Sequence, residues 1–239
     1  MAWIGQKVGK KGADWFCCPP SMWAIRATKL HQSCVLCWHL LADGDEILCQ
    51  TCLQSVPKRP PVAILTAEQM PMAVRLYAAS YYQYPVNRLL LQLKDHQSGE
   101  ALLALVRLLK TLPKPKQCNA DNTVIIPTPT TLTRLKNRGH NPVLTLAKHL
   151  SSHWHLPIWQ GLVRHDDDQH QRGLGKHERL QNTQHKFRLQ SPLPCRQVIL
   201  FDDVATTGAT LQAMAAAILA NNPNVRILAV CVAHGSQTH

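Results

Sequence analysis

Apolar residues along this chain recur in two spacings. One is the unbroken run of a strand buried on both faces, and the other is the three-to-four-residue recurrence of a helix packed by one face. Val198 to Phe201 is an unbroken run that stops at Asp202 and Asp203. After a short stretch of small hydroxyl residues, Leu211, Met214, Ala215, Ile218 and Leu219 return at helical spacing, and Asn221, Asn222 and Pro223 end that helix. Val225 to Ala233 is a second apolar run, interrupted only by Arg226. Strand, loop, helix and strand predict a βαβ unit, whose loop lies at the carboxyl edge of a parallel sheet. Asn122 to Ile126 predicts another buried strand, running into Pro127, Thr128, Pro129 and Thr130 at the same edge. Asn141 and Pro142 supply the cap and first turn of a helix with Val143, Leu146, Ala147 and Leu150 on its apolar face. Leu102, Leu105, Leu109 and Leu112 predict a helix over 100–112, and Val86 to Leu93 predicts another. Tyr77 to Tyr84 reads as paired strands, Lys94 and Gly99 bracket a turn, and Lys114 to Asn122 is loop.

The stretch after the Val198 strand carries the clearest chemistry. Ala205, Thr206, Thr207, Gly208, Ala209 and Thr210 lead into the helix. Unpaired N–H groups and the positive end of the helix dipole favour an anion there. The Thr hydroxyls add donors, and Gly208 lets the backbone approach closely. Two adjacent carboxylates beside an anion site suit the vicinal hydroxyls of a sugar, or a hydrated Mg²⁺. A ribose 5-phosphate with a charged group at its far end satisfies both halves. The stretch resembles the phosphoribosyl-pyrophosphate (PRPP) signature of type I phosphoribosyltransferases. That resemblance implies that Asp202 and Asp203 contact the ribose hydroxyls, that the loop to Thr210 holds the 5-phosphate, and that Mg²⁺ accompanies PRPP. In an enzyme of this kind, donors near Thr128 and Thr130 would face the departing pyrophosphate, and positioning with electrostatic stabilisation would suffice without a side-chain nucleophile.

The cysteines add a second centre. Cys34 and Cys37 are followed, after eleven intervening residues, by Cys49 and Cys52. Two Cys-x-x-Cys pairs at this spacing fit a tetrahedral zinc site on two short turns, against the alternative of two redox motifs. Four thiolates leave no open position for water, so the expected Zn²⁺ is structural, one per chain. The adjacent Cys17 and Cys18 have no partner pair nearby and read as incidental. Residues 1–30 carry scattered Trp3, Trp15 and Trp23 without periodicity and read as an N-terminal extension, with Met22 a second candidate start. Pro57 to Pro61 reads as a stiff linker. The expected organisation is an extension over 1–30, a zinc module over 31–57 and one α/β domain over 58–239, enough chain for a sizeable core.

Charge narrows the partners. The formal net charge is +12, from 26 Lys and Arg against 14 Asp and Glu, which favours polyanions. The bases gather at Arg134, Lys136 and Arg138 and again over 164–188, with Arg164, Arg172 and Arg179 among them. No apolar run approaches the roughly 20 residues of a membrane span, and no signal-peptide core is present.

Arg138-Gly139-His140-Asn141 resembles the Arg-Gly-Phe-Asn element of ComF/GntX-type proteins, which also begin with a Cys-x-x-Cys zinc module. Lys94, Leu162, Arg164, Gln171, Leu174, Arg179, Asn182 and Phe187 extend the match, which runs from about Cys34 to Val232. The chain departs from the pattern at His140, a polar ring less suited to stacking, and at Asp166 to Asp168, which read as a solvated loop. The resemblance implies a parallel-sheet phosphoribosyltransferase domain behind a zinc knuckle. It implies a PRPP-binding protein of DNA uptake (natural competence) or DNA utilisation, in contact with single-stranded DNA and with competence-machinery proteins. Its place would be the cytoplasm, free or at the inner face of the cytoplasmic membrane. The alternative function is transfer of the phosphoribosyl group to a small acceptor such as a nucleobase.

Overall fold

The computed structural model describes residues 33–42, 47–57, 63–65, 73–164 and 187–235. Its centre is a five-stranded sheet in the order β1-β2-β7-β6-β3, with β1 at Ala63–Leu65, β2 at Val74–Tyr81, β3 at Thr123–Pro127, β6 at Gln197–Ala205 and β7 at Arg226–His234. The four strands from β2 to β3 run parallel, and only β1 is antiparallel to its neighbour. The helices are α1 (Gln50–Ser55), α2 (Val86–His96), α3 (Gly99–Leu109), α4 (Leu132–Arg138), α5 (Pro142–Trp154) and α6 (Ala209–Asn221). A separate two-stranded sheet pairs β4 (Leu162–Arg164) with β5 (Phe187–Leu189). No described helix is long and apolar enough to cross a membrane.

Side chains alternate across the sheet and divide the interior into two cores. On one side, Ile125, Ile199, Phe201, Val230 and Val232 pack with α2, α3 and α5. On the other, Val124, Ile126, Val198, Leu200, Ile227, Ala229 and Cys231 pack with α6 and the β4–β5 pair. The expected α/β architecture is therefore present, and β6-α6-β7 is the βαβ unit that the apolar runs predict.

Two local expectations change, and one stretch without an expectation gains an element. Tyr77 to Tyr84 is not a pair of strands; Val74–Tyr81 is one strand, and its partners are β7 and β1. Tyr alternation signals a strand but not which segment it pairs with, because that is decided by distant chain. The Val198 strand does not stop at the acidic pair: β6 continues through Asp202, Asp203 and Val204 to Ala205, because its register with β7 persists to Ala205 opposite His234. The basic stretch after Thr131 is a short helix, α4, capped by the Thr131 hydroxyl at one end and by Gly139 in the left-handed region at the other. Of the linker, Pro57 is described, and its carbonyl accepts a hydrogen bond from Ser80 of β2 (2.7 Å). The extension over 1–30, residues 58–62 and the whole of 165–186 lie outside the described residues.

Candidate functional site

Strand alternation gives the two carboxylates different neighbours. Asp202 shares a face with Val198 and Leu200, toward α6, whereas Asp203 shares a face with Ile199 and Phe201, toward α2. Both are buried, with relative exposures of 7 % and 6 %. Asp203 Oδ2 lies 2.6 Å from Nζ of Lys94, in the last turn of α2, and that oxygen has no other polar partner among the described residues. Asp202 Oδ1 accepts the Asp203 amide (2.9 Å). Burial, and then the neighbouring Asp203 charge, push the Asp202 carboxyl up to about 7, although Lys94 and the Thr128 hydroxyl act in the opposite direction. A buried acid near neutrality at the carboxyl edge of a parallel sheet is characteristic of ligand sites.

The two loops beside the pair are set by the same edge. From β6 the chain passes through exposed Thr206 and Thr207 to buried Gly208, the N-cap of α6. Gly208 has φ +75°, and a Cβ there would lie 2.5 Å from Leu65 Cδ2 of β1. Gly208→Ala should therefore destabilise the fold by about 1–2 kcal/mol, read by urea denaturation. The first intrahelical bond is Gln212 N to the Gly208 carbonyl, so the preceding amides have no intrahelical partner at the positive helix end. Ala209 N donates to Thr207 Oγ1 (3.3 Å). Thr210 is half-buried in the first turn, and Ala205 is a buried strand residue whose carbonyl accepts from Gly235 N (2.8 Å).

After β3, buried Thr128 gives its amide to the Phe201 carbonyl (2.8 Å), and its hydroxyl lies 3.1 Å from the same oxygen. Pro129 has no N–H, which leaves Thr130 as the one of these three whose amide the sheet does not use.

The structure thus brings Asp202, Asp203, Thr128 and the Thr206–Thr210 turn to one edge. Arg134, Lys136 and Arg138 are all exposed on α4, the helix that leaves the Thr128–Thr130 loop. Arg138 lies 3.9 Å from Asp95 of α2. Arg164 is on the β4–β5 pair with its guanidinium over the Phe187 ring at 5.9 Å, while Arg172 and Arg179 lie outside the described residues.

Two roles were not legible in sequence. Lys94 matches a family element, but only the β6 register shows that it reaches Asp203. His140, expected to be a weakened stacking residue, has Nδ1 3.0 Å from the Arg138 carbonyl and Nε2 3.1 Å from the Leu93 carbonyl. The neutral ring donates to one of these; the protonated ring donates to both. Gln97 Nε2 also donates to the Arg138 carbonyl (3.0 Å), so the Arg138–Asn141 turn holds the end of α2 on both sides of Lys94.

The four cysteines form the second centre. The first pair sits on a turn in which Trp38 N donates to the Cys34 carbonyl and Cys34 N donates to the His39 carbonyl (both 2.8 Å). In the second pair, Cys49 caps α1 and its sulfur accepts from Cys52 N (3.4 Å). All four sulfurs lie within 4.8 Å of one another, and Cys37 Sγ is 3.7 Å from Cys49 Sγ. A tetrahedron of Zn–S bonds near 2.3 Å has edges of about 3.8 Å, so the donor set fits Zn²⁺. Burial pushes the Cys34 thiol up, but backbone donors at Cys49, Cys37 and Leu36 outweigh it and bring it to about 6. Burial and then the neighbouring sulfurs push Cys52 the other way. Four clustered sulfurs cannot all ionise without a cation among them.

No family model matches the chain. Individual proteins do. The DNA utilization protein YhgH of Salmonella typhi is 30% identical over 92% of this chain and 96% of its own length. The protein of the same name from Escherichia coli strain K12 is 29% identical over 88% and 92%. Competence protein F of Haemophilus influenzae is 30% identical over 68% of each chain. With the cysteine quartet and the α/β sheet in place, this similarity shows that the chain belongs to the ComF family.

Proposed function

We propose that the protein binds PRPP, or a closely similar ribose 5-phosphate ligand, and handles DNA during its uptake or utilisation, contacting single strands through their phosphates. The observation that carries the ligand half is the buried acidic pair at the end of β6, continuous with a threonine turn at the N-terminus of the 13-residue α6. In this reading Asp202 and Asp203 accept the ribose hydroxyls, and the amides and hydroxyls of Thr206, Thr207, Gly208 and Thr210 receive the 5-phosphate. On the β3 side, the Thr130 amide, which the sheet does not use, is the donor offered to a pyrophosphate. When bound, Mg²⁺ would screen the pyrophosphate charge. The cysteine quartet holds one structural zinc.

The DNA half is supported by the names of the relatives and by the net charge of +12. Arg134, Lys136 and Arg138 are exposed bases on α4, the helix that follows the Thr128–Thr130 loop. The working place of such a protein is the cytoplasm, free or at the inner membrane face, where entering strands are met by other competence proteins.

Calorimetry with PRPP and Mg²⁺ tests the ligand half, and heat with no saturable binding would end it. Fluorescence anisotropy on a single-stranded oligonucleotide tests the other. Affinity should fall with salt at a log–log slope of about −0.7 per phosphate neutralised. Changing Arg134, Lys136 and Arg138 together to Ala should flatten that slope by up to roughly 2 and leave sequence preference unchanged. A wild-type affinity indifferent to salt, or a triple variant with the full slope, would move the alternative ahead: phosphoribosyl transfer from PRPP to a small acceptor at the same site.

A further inference from the structure

Two adjacent carboxylates at a phosphate loop are compatible with two different ligands, a sugar diol or a divalent cation, and the sequence leaves both open. The geometry favours one of them. Asp203 is answered by a cation that belongs to the chain itself: Lys94 Nζ at 2.6 Å, on a side chain only 23 % exposed. The lysine's place is built. Its helix turn is held on one side by His140 at the Leu93 carbonyl (3.1 Å) and on the other by Gln97 at the Arg138 carbonyl (3.0 Å), with Arg138 3.9 Å from Asp95 between them. The remaining carboxylate, Asp202, already accepts a backbone amide through Oδ1.

From this arrangement we infer that Lys94 is the resident counter-cation of the acidic pair, and that it sets the pair to accept neutral hydroxyls while excluding a directly bound divalent metal ion. A divalent ion needs several oxygen ligands with net negative charge. Here one oxygen of Asp203 is taken by an ammonium group, and a metal at the pair would meet that group's repulsion at short range in a poorly solvated site. A hydroxyl meets neither obstacle, because it is uncharged and donates to a carboxylate whether or not a lysine lies behind it. Burial raises the proton affinity of Asp202 and so lowers the pair's charge further, in the same direction. Any Mg²⁺ that comes with PRPP would then be held by the ligand's own phosphate oxygens and not by these carboxylates. The inference rests on reading the pair as a sugar site and names the residue that makes it one.

The test uses Mn²⁺ alone, followed by electron paramagnetic resonance at about pH 8, above the raised Asp202 carboxyl. The full-length zinc-loaded protein is used, since thiolates and carboxylates prefer different metals and Mn²⁺ leaves the cysteine centre alone. Wild type and Asp203→Asn should bind Mn²⁺ equally, because neither has a metal site at the pair. Lys94→Gln should gain a site at least about tenfold tighter than anything in wild type. That site should vanish in Lys94→Gln combined with Asp203→Asn, and Lys94→Arg, which restores the charge, should behave as wild type. Lys94→Gln without the gain overturns the inference. Should that variant fail to fold, the wild-type comparison still decides: Mn²⁺ binding that Asp203→Asn weakens means that the pair takes a metal with Lys94 present. None of these arms contains PRPP, so failure of the ligand reading is seen separately, as wild type that does not bind PRPP in calorimetry.

Discussion

Cys49→Ser should lower the stability of the whole chain, not of the knuckle alone. Cys34 is fully buried, and Ile47, Leu48, Leu53 and Val56, which surround the cysteines in sequence, belong to the same core as Leu89 and Leu90 of α2 and Leu105 of α3. Pro57, at the end of the segment, is fastened to β2 through Ser80. With about 1.5–3 kcal/mol for each fully buried aliphatic side chain, the contact between knuckle and domain is worth several kcal/mol. Structural zinc in small fingers contributes apparent binding energies of about 10–16 kcal/mol at neutral pH, much of it spent on ordering the chain. Loss of one thiolate therefore releases the turns, and their apolar residues leave the core they share with Leu89, Leu90 and Leu105. The expected result is one zinc per chain by elemental analysis in wild type and much less in the variant. Denaturation of the variant should show a midpoint for the sheet domain lowered by the equivalent of about 2–4 kcal/mol. Adding a chelator to wild type should reproduce it. A knuckle that melts in its own transition while the main midpoint stays put would show the two units to be independent. That is the outcome suggested by the proline-rich linker alone. A zinc content near zero that refolding with zinc does not restore would remove the metal from the account.

Much of the fold was legible because it is written in local spacing. The β6-α6-β7 unit, β3 and the Asn141 cap depend on residues within a few positions of one another, and each lies where the apolar pattern predicts. The cysteine quartet was legible for a similar reason, since the two pairs are each contained in one turn and only their meeting is long-range. What was not legible is set by register. The extension of β6 through Asp202 and Asp203 defies the tendency of carboxylates to end a buried strand; it is permitted by the β7 ladder and by a lysine more than a hundred residues upstream in sequence. Nothing in the neighbourhood of Lys94 distinguishes it from a lysine at the solvent end of an amphipathic helix. The pairing of β2 with β1 is not legible for the same reason, because Ala63–Leu65 is three residues long and carries no alternation to read.

The candidate ligand site is legible in its parts and not in its interior. In sequence, Thr206 to Thr210 and Thr128 to Thr130 read alike as donors to an anion. Their environments differ: Thr206 and Thr207 are exposed at a helix end, while Thr128 spends its amide on the sheet and lies against Phe201 and Met214. A proline at 129 made that visible in principle, since it removes the one amide between the two threonines. His140 teaches the opposite lesson. Replacing an aromatic ring by imidazole reads in sequence as a loss of stacking, whereas in the fold the two ring nitrogens meet two carbonyls that a phenyl group could not satisfy.

Asp202→Asn should make the protein more stable at pH 8 and no more stable at pH 4, while weakening PRPP. In the folded chain burial and the Asp203 charge raise this carboxyl from an ordinary value of 3.8 to about 7. The folded state therefore holds the Asp202 proton more tightly than the unfolded state does. A carboxyl raised in this way contributes no penalty below about pH 4, where it is protonated in both states. Between about pH 4 and 7 the unfolded chain ionises first, and folding stability declines as pH rises. Above about pH 7 both states are ionised, and the whole cost of the buried charge is present, on the order of 2–4 kcal/mol. Asparagine keeps an oxygen to accept the Asp203 amide and carries no charge at any pH, so the variant's advantage should grow from near zero at pH 4 to a few kcal/mol at pH 8. Urea denaturation at the two pH values measures it. The gain should come with a loss: a neutral amide is a weaker acceptor than a carboxylate for a sugar hydroxyl, and a charged hydrogen bond contributes about 1.5–3 kcal/mol, so PRPP affinity should fall about 10- to 100-fold. Stability and ligand binding moving in opposite directions at one buried residue is the behaviour of a group kept for its ligand. A variant equally stabilised at pH 4 and pH 8 would show that packing, not charge, had changed. A destabilised variant with unaltered affinity would make Asp202 a structural residue and take the sugar site away from the end of β6.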